Sequence, residues 1–272
     1  VRSSALIVRL LFHTEEPMRW IVAMTAFAIP AAANAAEPEA HVFKADGKTL
    51  PYRLLKPADI EAGKKYPLVL ILHGAGERGT DNAKQLVWFW DEKKPSVMTR
   101  PEVAKEKAFV IVPQCPEGKR FVEVPWEKGS YKSPEISEPL KLTLALVDSF
   151  IKDNPIDLDR VYVIGMSMGG YGALDAVQRR PELFAACVSI CGAGDLSKAK
   201  DIAHVPVWAF HGADDTAVPV SGSREMIAAL KKAGAGPKYT EYPKVGHNSW
   251  SPAFEEKEFW NWIFAQKRQP KK

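Results

Sequence analysis

Residues 161–170 read Val-Tyr-Val-Ile-Gly-Met-Ser-Met-Gly-Gly and run directly into Tyr-Gly-Ala-Leu-Asp-Ala-Val at 171–177. The β-branched opening predicts a buried strand, and the segment after it predicts a helix. Between them, Gly165-Met-Ser167-Met-Gly169 has the spacing of a tight strand-to-helix turn that lifts a serine hydroxyl off the end of a sheet. The backbone N–H of Met168 and the helix N-terminus then lie beside that hydroxyl. The flanking glycines have a steric reason, because a β-carbon there would meet the crossing strand and helix. A glycine turn of purely structural use can share this pattern. The strand–turn–helix context favours Ser167 as a nucleophile.

The rest of the chain repeats the same alternation. Short strands are predicted at 41–45 and 52–55 around the Asp46-Gly47 turn, and buried strands at 67–72 and 108–113. A helix is expected over 140–151, and the helix after Ser167 stops at Pro181. Strands at 185–190, 206–210 and 238–242 alternate with helices at 221–233 and 253–265. This rhythm predicts one α/β domain with a mostly parallel sheet and helices on both faces. The loop 115–138 is long, carries prolines at 116, 125 and 134, and leaves the C-terminal end of a strand. It should overhang the ligand crevice, which makes Trp126 and Tyr131 candidate substrate contacts unless they pin the loop to the body.

With 46% apolar and 26% charged residues, the chain has material for one sizeable core. The formal net charge of +4 is spread among interspersed acids and bases, which argues against a nucleic-acid face. Residues 18–35 read as a signal peptide, with a basic start at Met18-Arg19, an apolar run over 20–29 and an Ala33-Asn34-Ala35 cleavage site. Residues 1–17 suit no signal and read as a mis-called extension; an uncleaved anchor is the alternative. The expectation is an exported protein, periplasmic or secreted, whose single catalytic domain is 36–272 and which has no stable membrane insertion after cleavage. Cys115, Cys187 and Cys191 allow either one disulfide with a buried thiol or three buried thiols. No Cys/His spacing suggests a metal, and no cofactor motif is present.

A serine needs a base to take its proton and a carboxylate to orient that base. Downstream of Ser167, His204 sits in a polar turn and His211 at a strand end, whereas His247 lies in a loop after the last strand, free to face the serine. The acid should follow the penultimate strand, where Asp214 and Asp215 compete and the residues alone do not choose. The oxyanion hole needs two backbone N–H groups. Met168 supplies one, and Ala75, in the turn His73-Gly-Ala-Gly-Glu-Arg-Gly79, is expected to supply the other. His73 reads as structural. Glu77 and Arg78 either contact polar groups of a substrate or pair with each other to brace the turn.

Four stretches in this order, residues 72–79, 165–172, 211–219 and 246–247, resemble the α/β-hydrolase superfamily. Within it they resemble most the bacterial group labelled predicted peptidases, which is similar to carboxylesterase/phospholipase-type esterases, polyhydroxybutyrate-depolymerase-like enzymes and dienelactone hydrolases. The resemblance covers roughly residues 42–265. It implies an α/β-hydrolase fold, Asp215 as the acid, and backbone donors at Ala75 and Met168.

The reading is therefore a Ser-His-Asp esterase without cofactor, acting on small or polymer-linked esters. The absence of a long apolar lid helix points away from long-chain triglycerides. Trp88, Phe89, Trp90, Trp126 and Trp250 are candidates to line a site for aromatic or sugar-linked esters, or else anchor core and loops. The rivals are a serine peptidase with the same triad, for which one domain leaves little room for a gate, and a catalytically dead binding protein.

Overall fold

The strand β3, Tyr66–Leu72, is buried at every residue, and its alternate side chains enter two separate cores. Leu68, Leu70 and Leu72 join one apolar cluster, Val69 and Ile71 the other. The strands β4 (Phe109–Pro113) and β5 (Ile156–Met166) divide their side chains in the same way, Ile111 and Val163 to one side and Val112 and Ile164 to the other. A strand covered on both faces has no solvent side, which is why these segments read as continuous apolar runs.

The computed structural model describes residues 37–91 and 96–269. The signal segment and the residues before it lie outside the described residues. Eight strands form one sheet: β1 (Glu39–Ala45), β2 (Lys48–Leu55), β3, β4, β5, β6 (Ala186–Ile190), β7 (Val207–Gly212) and β8 (Lys238–Tyr242). Their order across the sheet is β1-β2-β4-β3-β5-β6-β7-β8. The first hairpin pairs antiparallel within itself and against β4, and all other pairs are parallel. That hairpin turns at Asp46 and Gly47, both at positive φ, 51° and 70°, as a two-residue turn between twisted strands requires.

On one face lie α2 (Glu138–Asp153) and α3 (Met168–Arg179), with Leu230 of α4 (Ser221–Lys232) in the same cluster. The other face holds α1 (Pro101–Glu106), α5 (Trp250–Phe254) and α6 (Phe259–Ala265). Ser137 caps α2 by accepting the Leu140 N–H, and Pro139 occupies its first turn, so the helix starts two residues before its apolar periodicity is visible. No helix among the described residues is long and apolar enough to cross a membrane.

The single helix expected over 253–265 is two helices. Phe254 and Phe259 are both buried and meet edge to face at 5.6 Å. Five residues apart on a continuous helix they would point about 140° from each other, so the chain breaks between them to send both into one core. The six-residue α1 was not expected from the sequence, being too short to show a period.

The corner after β5 is made by contact between backbones. A β-carbon on Gly165 would stand 1.9 Å from the Gly169 oxygen, and one on Gly169 would stand 2.0 Å from the Leu72 oxygen. These are the collisions with helix and strand that the sequence predicts. Gly169→Ala is expected to lower stability by about 3 kcal/mol or more in urea unfolding. Gly236→Ala, where nothing lies within 4 Å, should change it by less than about 0.5 kcal/mol.

Candidate active site

Ser167 stands between β5 and α3 with φ 53° and ψ −119°, a conformation that non-glycine residues rarely adopt. Such a residue stores roughly 1–3 kcal/mol of strain, and the packed glycine corner holds it there. Its N–H donates to the Ile190 oxygen at 2.8 Å, tying the corner to β6. The serine occupies the N-cap of α3, yet its side chain caps nothing. Its Oγ lies instead 2.8 Å from His247 Nε2.

His247 is delivered by the loop after β8. That loop approaches the end of β7 closely, because Gly212 lacks a side chain: a β-carbon there would lie 2.2 Å from the Gly246 oxygen. The Ala213 and Asp214 N–H groups donate to the Tyr242 and Val245 oxygens at 2.9 and 3.0 Å, fixing the two loops together. His247 Nδ1 lies 2.8 Å from Asp215 Oδ2. Asp215, which the resemblance selects, is therefore the acid in contact with His247, while Asp214 is exposed. The other Asp215 oxygen accepts the Ala217 and Val218 N–H groups at 2.8 and 2.9 Å. Burial alone would raise this carboxyl, but hydrogen bonds from His211, His247 and Val218 outweigh it and hold it well below the usual carboxylate range.

Met168 is the first residue of α3, so its N–H has no intrahelical acceptor. Ala75 opens a short 3₁₀ turn after β3, and its cap residue Gly74 lies against the nucleophile: a β-carbon on Gly74 would stand 3.8 Å from Ser167 Cβ. Both expected oxyanion donors thus begin helical turns next to Ser167. Arg78 and Glu77 do not pair with each other, contrary to one sequence expectation. Arg78 donates through Nε to the Ala75 oxygen at 2.8 Å and through Nη1 to the Lys119 oxygen at 3.4 Å, so it braces the turn through backbone. Glu77 accepts the Trp88 indole N–H at 3.1 Å, and burial raises its carboxyl above the ordinary value.

His73 is structural, as the sequence suggests. Its Nδ1 bonds to the Gly74 oxygen at 2.6 Å and its Nε2 accepts the Cys115 N–H at 2.9 Å. All three cysteines are buried free thiols, which decides between the two cysteine expectations. Among the described residues, Cys191, Asp215 and His247 place potential metal-ligand atoms within 4.8 Å of one another. Asp215 and His247 are spent on each other, and burial pushes the Cys191 thiol up to about 12, so the group fits a hydrogen-bonded relay better than a chelate.

Of the expected substrate contacts, Trp126 and Tyr131 anchor their loop. Arg120 stacks on the Trp126 ring at 4.3 Å, the Trp126 oxygen accepts the Tyr171 hydroxyl, and Tyr131 stacks on the Tyr171 ring at 5.8 Å. Trp250 is beside the relay, edge-on to the His247 ring at 5.4 Å, and Trp88 packs on it at 5.6 Å. Behind these two rings lies a cleft of about 350 Å³ whose walls combine Trp88, Trp90, Trp250 and Phe254 with Arg100 and Glu255. Phe89 belongs to the core. The sequence reading set His211 aside as a base and gave it no other part in the site; it stands 3.2 Å from Asp215 Oδ2, and the signal for that was its place four residues ahead of the acid.

The phospholipase/carboxylesterase family profile matches residues 58–259. The chain belongs to this family. Its α/β-hydrolase fold is shared with a crystal structure described as a thermostable esterase, at TM-score 0.77 and 38% identity over 86% of this chain and 64% of that one. Carboxylesterase SOBER1 of Arabidopsis thaliana is 23% identical, covering 66% of this chain and 82% of its own length. Dipeptidyl peptidase 8 of Homo sapiens is 30% identical over 163 residues, 57% of this chain and 16% of that protein. The chain therefore spans less than two thirds of the thermostable esterase and only a small part of the peptidase.

The tautomer and burial of His73 have a consequence for stability. Burial, aided by the Arg78 charge, pushes this imidazole down to about 4, whereas the unfolded chain titrates near 6.5. As pH falls from about 6.5 to 4 the unfolded state takes up a proton that the fold refuses. His73 thus favours the fold fully above pH ~6.5, and that contribution is lost on acidification, by up to ~1.4 kcal/mol per pH unit. Urea unfolding at several pH values should show this slope, and His73→Asn should flatten it by close to one proton.

Proposed function

We propose that the protein is a serine hydrolase that cleaves carboxylic esters through an acyl-enzyme, with Ser167, His247 and Asp215 as nucleophile, base and orienting acid. The observation that carries this reading is the continuous contact from Ser167 Oγ through His247 to Asp215, each step 2.8 Å, on a strained corner. In the first step Ser167 Oγ bonds to the ester carbonyl carbon while His247 Nε2 accepts the hydroxyl proton. The negative charge that develops on the carbonyl oxygen is met by the Ala75 and Met168 N–H groups. The tetrahedral intermediate collapses, the alcohol leaves with the proton from His247, and water repeats the sequence to release the acid and restore the serine. Asp215 keeps the His247 proton on Nδ1 and stabilises the imidazolium between the two transfers.

The reading of the substrate class rests on Trp250, which stands edge-on to His247 and also lines a neighbouring cleft. The cleft behind Trp88 and Trp250 sets their rings beside the charged Arg100 and Glu255, a mixed lining that supports esters linked to aromatic or sugar groups beside short-acyl esters. The kinship with dipeptidyl peptidase 8 favours a second reading, peptide-bond hydrolysis by the same groups.

With p-nitrophenyl acetate, butyrate, octanoate and feruloyl-type esters, Ser167→Ala should lose on the order of 10⁴–10⁶ in kcat. Asp215→Asn should lose on the order of 10⁴, and Asp214→Asn should stay near wild type. Near-wild-type hydrolysis by Ser167→Ala would refute the mechanism. Ser167-dependent cleavage of peptide p-nitroanilides without ester cleavage would select the peptidase reading.

A further inference from the structure

His211 is the penultimate residue of β7, four residues before Asp215, and its imidazole is wholly buried. Nδ1 lies 2.8 Å from Ser223 Oγ, on α4, while Nε2 lies 3.1 Å from the Val218 oxygen and 3.2 Å from Asp215 Oδ2. Both neighbours of Nε2 are acceptors only, because the Asp215 carboxylate is ionised, so Nε2 carries a proton. Ser223 has one proton and two partners that can take it, His211 Nδ1 and the Gly192 oxygen at 3.0 Å. If the serine donates to Nδ1, the imidazole is neutral. If it donates to Gly192, Nδ1 must donate to the serine and the ring is an imidazolium. In both arrangements Nε2 carries its proton between the Val218 oxygen, which accepts it, and Asp215 Oδ2 beside it.

We propose that His211 is a positioning residue for the hydrolytic relay: its Nε2–H holds Asp215 Oδ2 and the Val218 carbonyl together, fixing the carboxylate edge that His247 meets and drawing charge away from it. This rests on the serine-hydrolase reading above. Asp215 Oδ1 is already fixed by two backbone N–H groups, so the second imidazole determines how the remaining oxygen is aimed and how strongly it attracts the His247 proton. Losing that N–H leaves the carboxylate both freer and more basic towards His247. Turnover then falls, and the acid limb of the kcat/KM profile moves to higher pH.

The titratable groups nearest His211 lie outside that limb. Burial pushes the Cys191 thiol, beside Asp215, up to about 12, and raises the Tyr171 hydroxyl on α3 above its ordinary range. Glu241, opposite His211 on β8, is held down to about 2 by Arg224 and Tyr239. Ser167, Trp250 and Ser223 carry no charge, and the Glu77 carboxyl, raised by burial, accepts the Trp88 indole N–H on the far side of Ser167.

The test is the pH profile of p-nitrophenyl acetate hydrolysis by the full chain, with His211→Leu, His211→Gln, Ser223→Ala and Ser167→Ala. Glutamine places an amide N–H₂ near the position of Nε2, whereas leucine places no donor there. His211→Leu should lose roughly 10- to 100-fold in kcat with KM within about twofold, and its acid limb should rise by about half a pH unit or more. His211→Gln should recover most of the rate and return the limb towards wild type. Ser223→Ala, which frees Nδ1 without touching Asp215, should show a smaller fall and a shift in the same direction; it decides the matter if the leucine variant does not fold. An unmoved acid limb in a folded His211→Leu or in Ser223→Ala overturns the proposal, as does equal loss in the leucine and glutamine variants. Hydrolysis surviving in Ser167→Ala overturns the underlying reading instead.

Discussion

Three backbones meet at one point without side chains between them: the end of β3 at Leu72, the end of β5 at Gly165, and the first turn of α3 at Gly169. The Leu72 oxygen lies where a Gly169 β-carbon would be, so the helix can start only if it is pressed against the sheet. That pressure forces Ser167 into a positive-φ corner and leaves the Met168 N–H uncapped beside it. The same contact sets Gly74, at the start of the next loop, close to Ser167 Cβ. The exposed hydroxyl and both backbone donors are thus products of a single packing constraint. Strain at the serine is sustained by burial of the sheet on both faces, where each central strand contributes to two cores.

The second half of the site depends on a similar economy at Gly212. Its missing side chain lets the loop bearing His247 lie on the loop bearing Asp215, and two backbone hydrogen bonds join them. Every lone pair the relay uses is then accounted for. Asp215 takes two backbone N–H groups on one oxygen and faces two imidazoles with the other. A carboxylate satisfied in this way stays ionised while buried, which is the state that the proposed acyl transfer needs opposite a protonated His247. Arg78 and His73 extend the arrangement by bracing the oxyanion turn through backbone atoms.

Much of this was legible in the sequence, for reasons that differ by element. The central strands announce themselves because burial on both faces removes every polar position, and the hairpin because Asp46-Gly47 fits one turn type. The glycines at 165 and 169 reveal the corner because no other residue fits it. What stayed hidden depends on contacts distant in sequence. The helix break between Phe254 and Phe259 is decided by a shared pocket, and α1 by six residues too few to show a period. Trp126 and Tyr131 look like loop aromatics in sequence, yet both are engaged with Arg120 and Tyr171. Asp214 and Asp215 are chemically identical, so their chemistry alone does not choose; the resemblance points to Asp215, and the approach of the His247 loop makes the contact. His211 is the same case: two residue types that a sequence can place four apart, whose contact only the fold of the loop creates.

In the proposed mechanism Ser167 is the residue acylated during turnover. Intact-mass and peptide-mapping analysis after exposure to a fluorophosphonate tests it most directly, since such reagents phosphonylate a serine activated by an adjacent base. One adduct per chain is expected, on the peptide containing Ser167, and none in the His247→Ala protein. An adduct on a different residue, or stoichiometric labelling that persists without His247, would contradict it.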